Sequence, residues 1–437
     1  MCGRPAVRGR RAGPPLCLNR GASMIEKTTL PGGVRLVSER LPHVRSASFG
    51  IWVGTGSRHE PSALAGASHA LEHMSFKGAG TRTAAEIAEL MDGMGGQLNA
   101  FTTKECTCFY GRALDTRLHE ALGLICDIFF EPRMDEDDWQ TERGVILEEI
   151  GMYRDSPEDM SSERLFSSVF KGSALARPVL GRPSALNAMT AAALRGYREA
   201  EYRPHDIVVS LAGSFDEGHL RFLERRFTLP AARPRAKLKR AAYTPARVTK
   251  KKAIEQNHWC VGFPGLPMGD SKRHTLQVLS GVVGGGMSSR LFQAVREREG
   301  LCYEIGTFTA SHGETGVFGV YVGLGRESER RALGMIADIL RGVAQDGPGQ
   351  AEVDRAREQL KAAAIMGMES SKTRMNHMWQ SELLLGRILT LDEIAARCDA
   401  VTAEGCRELA AELINFDKMS FSAIGRVDAA GAYDGYF

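Results

Sequence analysis

Apolar and polar residues alternate over 34–39 and again over 46–53, which predicts two strands joined by a turn that carries Pro42. The second strand stops at Gly54-Thr55-Gly56. A helix is expected around residues 66–74, ended by Gly78-Ala79-Gly80, and another over 84–94, with Thr83 as its cap and Gly95-Gly96 as its stop. Two short segments of strand composition, 97–103 and 107–111, read most simply as a hairpin. Helical periodicity then covers 117–130, turns at Glu131-Pro132 and resumes over 136–154, with further helical stretches at 165–169 and 191–200. The continuous apolar run 206–213 reads as a buried strand, and the basic, proline-containing stretch 231–240 as a solvated linker.

The second half repeats the first. Arg331-Ala332-Leu333-Gly334-Met335-Ile336-Ala337-Asp338-Ile339 matches Glu120-Ala121-Leu122-Gly123-Leu124-Ile125-Cys126-Asp127-Ile128 in register, which indicates a duplicated domain. Three residues inserted around Gly347-Pro348-Gly349 then set Ala356 opposite Glu142 and Ala363 opposite Glu149, while His274-Thr275-Leu276-Gln277-Val278 falls near the counterpart of the 66–74 helix. The expected organisation is a leader at 1–23, an N-terminal domain at 24–228, a linker at 229–250 and a homologous C-terminal domain at 251–437. The leader holds five arginines and no acidic residue, as a mitochondrial transit peptide does, but Gly13-Pro14-Pro15 would break an amphipathic helix. Disorder, or a start assigned upstream of Met24, is the expectation there.

Chemistry concentrates on the 66–74 helix, Gly66-Ala67-Ser68-His69-Ala70-Leu71-Glu72-His73-Met74. His69, Glu72 and His73 stand at i, i+3 and i+4, so in a helix of about 3.6 residues per turn they share one face. Two imidazoles one turn apart can grip one zinc ion, and a carboxylate between them in the order H-x-x-E-H serves as a base on the attacking water and not as a ligand. Histidine is scarce, with eleven in 437 residues, so chance seldom produces this spacing. A third ligand has to come from elsewhere, and the 136–154 helix carries Glu142, Glu148 and Glu149. Glu149 lies about 700° of rotation beyond Glu142 and so nearly on its face, whereas Glu148 points roughly 120° away. This favours Glu149 as the ligand and Glu142 as a group that orients a ligand imidazole.

Composition narrows the alternatives. A net charge of +3, from 56 basic and 53 acidic residues, is too balanced for a nucleic-acid footprint. Nine cysteines occur without C-x-x-C pairs, which suits a reducing compartment, and no apolar run approaches the ~18 residues that a membrane span requires. The glycine-rich Gly284-Gly285-Gly286-Met287-Ser288-Ser289 lacks the Lys-Ser/Thr ending and the spacing of nucleotide loops.

Together, H-x-x-E-H, Phe76-Lys77-Gly78, Gly95-Gly96-x-x-Asn99-Ala100-x-Thr102 and Glu142-Arg143-Gly144-Val145-Ile146-Leu147-Glu148-Glu149-Ile150 resemble the pitrilysin family of inverted-motif zinc metallopeptidases. The likeness is greatest to the short members, such as the beta subunit of mitochondrial processing peptidase and its bacterial homologues. It implies one zinc ion held by His69, His73 and Glu149, with Glu72 as base and Glu142 in support. It implies an α+β fold of two homologous domains, each a mixed, mainly antiparallel sheet with helices on one side, facing each other as a clam shell. Further implied are a C-terminal domain without metal, Arg296 and Tyr303 reaching across to the peptide, and Tyr303 donating to the oxyanion. The Asn99-Ala100-Phe101 strand, with a free edge, would take an extended peptide as an added strand. The expected function is a zinc endopeptidase for extended or unfolded chains. The alternative is a non-catalytic homologue acting as a peptide-binding or structural subunit of a larger complex. A homodimer, or a heterodimer with a homologous chain, in the bacterial cytoplasm or the mitochondrial matrix is expected on resemblance alone.

Overall fold

The computed structural model describes residues 25–235 and 238–437, so the expectation for residues 1–23 lies outside the described residues. The first half runs β1 (Ile25–Thr29), β2 (Arg35–Arg40), β3 (Ser46–Val53), α1 (Ala67–Ser75), a small ribbon of β4 (Gly78–Ala79) and β5 (Arg82–Thr83), α2 (Ala84–Gly93), β6 (Gln97–Thr102) and β7 (Thr107–Leu114). It continues through α3 (Leu118–Phe130), α4 (Glu136–Asp155), α5 (Pro157–Val169), α6 (Pro183–Ala188), α7 (Ala191–Glu201), β8 (Ile207–Gly213) and α8 (Glu217–Phe227). The second half holds β9 (Arg247–Lys251), β10 (Gln256–Gly265), α9 (Arg273–Gly284), a π-helical turn at Phe292–Arg298, β11 (Cys302–Ser311) and β12 (Gly316–Gly325). After these come α10 (Glu329–Asp346), α11 (Gln350–Gly367), α12 (Ser371–Leu385), α13 (Leu391–Asp399), α14 (Ala403–Leu413) and β13 (Ser420–Gly425). The strand β9 begins inside the 229–250 stretch expected as linker.

The duplication is legible in the sheets. The first is ordered β1-β2-β8-β3-β7-β6, and the second, read from its β9 end, is β9-β13-β10-β12-β11. Strand for strand this matches β2-β8-β3-β7-β6, down to a single parallel pair in each, β2 with β8 and β9 with β13. Every other neighbouring pair is antiparallel.

Helices of the same half cover one face of each sheet: Phe49, Ile51 and Val53 pack with residues of α3 and α8, and Val261 and Phe263 with residues of α9, α10 and α14. The opposite face is covered by a helix of the other half. Against Val37, Trp52 and Val208 of the first sheet lie Met375 and Met378 of α12, and Trp52 stacks on Trp379 with centroids 4.9 Å apart. Ser210 donates a hydrogen bond to the Met375 carbonyl at 2.9 Å. Reciprocally, Leu165 and Val169 of α5 pack on Cys260 and Val317 of the second sheet. This exchange accounts for the composition of β8, Ile-Val-Val-Ser-Leu-Ala-Gly, which is buried at every position. No helix among the described residues is long and apolar enough to cross a membrane.

A charge cluster also links the halves. Arg58 is buried between Glu105 of the first half and Glu314 in the turn between β11 and β12. Burial alone would raise the Glu105 carboxyl, but His312, the Gly313 N–H and Arg58 bring it from the usual 4.5 down to about 2. A carboxylate held below its unfolded value stabilises the fold fully above that value, and the contribution drains away as pH falls through the folded one. The difference corresponds to roughly 3 kcal/mol. Acid unfolding followed by tryptophan fluorescence should therefore lose stability as the pH is lowered from 4.5 toward 2, and Glu105→Gln should flatten that part of the curve. An identical curve in the variant would detach Glu105 from the link.

Candidate metal centre and peptide cleft

Helix α1 starts at a crowded junction. Gly66 is left-handed at φ 101°, and a Cβ there would lie 3.0 Å from the Gly181 Cα; Gly181 is left-handed as well, and its Cβ would lie 2.4 Å from the Ala65 carbonyl oxygen. Two glycines thus let the 178–183 loop press against the start of the helix. Its unsatisfied N–H groups are met by Glu60, whose two carboxylate oxygens accept from Gly66 N and Ser68 N, each at 2.8 Å. Glu60 is 2% exposed, and burial pushes it up to about 7 despite those two N–H groups. The Ser68 hydroxyl bonds the Tyr197 hydroxyl at 3.0 Å, which ties the same turn to α7.

From this anchored helix His69 and His73 turn toward α4. The Nε2 atoms of both lie 3.6 Å from one oxygen, Oε2 of Glu149, and the imidazole centroids are 4.6 Å apart. These three form the one group among the described residues whose ligand atoms all lie close enough for a metal ion, within 4.8 Å of one another. Tetrahedral zinc with bonds of about 2.0–2.1 Å needs ligand atoms roughly 3.3 Å apart, so the set fits after small side-chain adjustments. Burial, and secondarily His73, lower His69 to about 4, which keeps its imidazole neutral with a lone pair to offer. Its Nδ1 is buried without a hydrogen-bond partner. Glu142, 4% exposed, lies with Oε2 3.0 Å from His73 Nδ1 and Oε1 2.5 Å from Lys77 Nζ. It therefore fixes which imidazole nitrogen of His73 is left to face Glu149. Glu148 is exposed, about 100° around α4 from Glu149.

Glu72 shares the histidine face but stays out of the ligand group. Its Oε2 accepts a hydrogen bond from the Thr102 hydroxyl at 2.6 Å, and burial raises its carboxyl, an effect that this bond partly offsets. A cavity of about 490 Å³ opens over His69, Glu72 and Glu149. Its walls include Phe101, Tyr153 and the Pro178-Val179-Leu180 stretch. Strand β6 ends the sheet, so its outer edge has no strand partner among the described residues. There the Ala100 N–H is taken by the Asn99 Oδ1 at 2.8 Å.

Arg296 and Tyr303 are brought to each other and not to this cavity. The Arg296 guanidinium lies 4.6 Å over the Phe292 ring and 5.1 Å over the Tyr303 ring, Tyr303 is 78% exposed, and neither lines the cleft. Neither the role of Glu60 nor that of the 178–180 wall is legible in the sequence. Glu60 carries no spacing signal, because it reaches the helix start through an irregular loop, and the wall comes from a turn over a hundred residues downstream of His69.

A family model described as insulinase (peptidase family M16) matches residues 35–182, and one described as peptidase M16 inactive domain matches residues 188–360. The chain is 39% identical over 395 residues to a protein of Bacillus subtilis (strain 168) named uncharacterized zinc protease YmxG, an alignment covering 90% of this chain and 97% of that one. It is 40% identical to the uncharacterized zinc protease SCO5738 of Streptomyces coelicolor, over 93% of this chain and 90% of that protein. In fold it is similar to the crystal structure of a peptidase M16 inactive domain from Pseudomonas fluorescens, with a TM-score of 0.86 and 18% identity over 93% of this chain and 98% of that one. With near-complete relatives at this identity, the chain belongs to the insulinase family of peptidases, peptidase family M16.

Proposed function

We propose that the chain is a zinc-dependent endopeptidase that takes extended peptides along β6 and cuts them over α1, within a chamber formed by the two halves. The observation that carries the reading is the meeting of both histidine Nε2 atoms on one Glu149 oxygen, with Glu72 of the same helix facing the same cleft. The names of the relatives support it. His69, His73 and Glu149 would hold the ion, and Glu142 would keep His73 oriented. Bound zinc supplies a Lewis acid that makes water more acidic and a carbonyl more electrophilic. Glu72, with Thr102 donating to one of its carboxylate oxygens, takes the proton from the attacking water and returns it to the leaving amine. A peptide laid along β6 would displace the Asn99 Oδ1 and accept from the Ala100 N–H, so affinity would come mainly from backbone bonds.

Residues 24–228 carry the reaction in this reading. The second half, in which the counterparts of Glu142 and Glu149 are Ala356 and Ala363, forms the other side of the chamber, and Arg296 and Tyr303, which stack on each other outside the cleft, would meet the peptide only on closure. The test is metal content and cleavage measured on one preparation. The purified chain should hold one zinc ion and cut an unfolded polypeptide, lose activity to a chelator and regain it with added zinc. Stoichiometric zinc without cleavage of any unfolded substrate would leave the non-catalytic subunit as the correct reading.

A further inference from the structure

The duplication leaves a second cleft. The counterparts of α1, α4 and α5 are α9, α11 and α12, and between these helices lies a cavity of about 180 Å³. Its lining differs from that of the first, where three carboxylates stand beside Arg154, Arg164 and Arg182. Glu72, Glu149 and Glu163 line the cleft over α1, whereas no carboxylate lines this one. Instead α9 presents Arg273, His274 and Gln277, and α12 presents His377 and Gln380. A hollow of about 430 Å³ shares Arg273 and His274 and adds Arg387 and Arg397 to its walls.

Most of these groups have no side-chain partner within the described part of the protein. Among the described residues Arg273, His274, Gln277 and Gln380 make no side-chain hydrogen bond or ion pair, and exposed Arg397 makes none either, although its charge acts on Glu393 of the same helix. Arg387 is spent on Glu393 at 2.8 Å, and Asp270, the one carboxylate lining the hollow, accepts from the Lys272 N–H at 2.8 Å. His377 is bonded to the Leu389 carbonyl at 2.6 Å. A part-buried guanidinium without an acceptor is costly, and burial with the neighbouring Arg397 and Arg273 charges also depresses His274. The field and the free donors both call for an anion.

We propose that this cleft is a binding site for a compact organic anion, a carboxylate or phosphate whose oxygens are taken by Arg273 and by the amides of Gln277 and Gln380, with Arg397 at the rim. Arg273 supplies a planar fork suited to either group, and Leu360 and Leu384 supply apolar wall for what the group is attached to. The volume is below the roughly 300–1,000 Å³ of larger ligand pockets, which confines the occupant to a phosphate or a single terminal residue with its carboxylate.

Calorimetric titration of the full, metal-containing chain with inorganic phosphate, N-acetylalanine and N-acetylalanine amide tests this. Saturable binding of phosphate, of the carboxylate or of both is expected, and which of them binds identifies the source. Arg273→Gln should weaken binding about 10- to 100-fold, as loss of a charge-assisted hydrogen bond does. Any anion binding at the metal is common to both proteins, so the difference reports this cleft alone. Gln277→Leu should also weaken binding, and thermal melting establishes that each variant is folded. No binding of either anion, equal binding of the amide, or unchanged affinity in a folded Arg273→Gln or Gln277→Leu chain would overturn the assignment.

Discussion

Glu72→Gln is expected to keep its zinc and to lose peptide cleavage by at least about 10²- to 10⁴-fold, the range that general-base catalysis supplies. The separation of the two effects follows from the geometry. Glu72 lies outside the group formed by His69, His73 and Glu149, so the donor set for the ion is untouched. Glutamine preserves the volume, and its carbonyl oxygen can still accept from the Thr102 hydroxyl, so α1 and β6 stay in register with each other. What disappears is the ability to take a proton. Zinc content by atomic absorption and turnover on an unfolded polypeptide are the two readings. Turnover near that of the unaltered chain would remove Glu72 from the reaction, whatever the zinc content.

The second large effect concerns the metal and is graded along α4. Glu149→Gln replaces the charged oxygen that both imidazoles approach at 3.6 Å and should lower zinc affinity by about a hundredfold or more, beyond the 10- to 100-fold that loss of an outer partner costs. Glu142→Gln should fall within that smaller range, because His73 loses its charged partner and the Lys77 ammonium 2.5 Å away is left without one. Glu148→Gln should change nothing, since the side chain is exposed and points away from the histidines. Competition with a chromogenic chelator measures all three. Equal losses in Glu148→Gln and Glu149→Gln would mean that α4 does not present the single face on which the site depends.

Local pattern carried much of this molecule. The i, i+3, i+4 spacing of His69, Glu72 and His73 and the seven-residue step from Glu142 to Glu149 are properties of one and of about two helix turns, and they survive any arrangement of the rest. The 97–103 and 107–111 segments pair as the hairpin of β6 and β7, with Thr102 opposite Thr107, because the four residues between these strands leave the chain few other routes. The repeat around Ile128 and Ile339 likewise pointed to two sheets of one topology, since a duplicated order of elements has one favourable way to pack.

Other features join residues that no period connects. Burial of β8 on both faces is visible as an apolar run, but the helix that covers its second face, α12, lies more than 150 residues away in the other half, with Trp379 on Trp52. Glu60 caps α1 from an irregular loop, and Gly181 meets Gly66 because neither has a Cβ. The composition of Arg296 and Tyr303 says nothing of where they sit, and the fold stacks them on each other, outside the cleft. The sequence by itself determined the elements and the one helix face able to hold a metal, because these are written in spacings shorter than a few turns, and the duplication, because a nine-residue segment recurs in register in both halves. Only the tertiary structure decided which distant segments wall the cleft, cap its helix and cover each sheet, because those contacts depend on shape and burial summed over the whole chain.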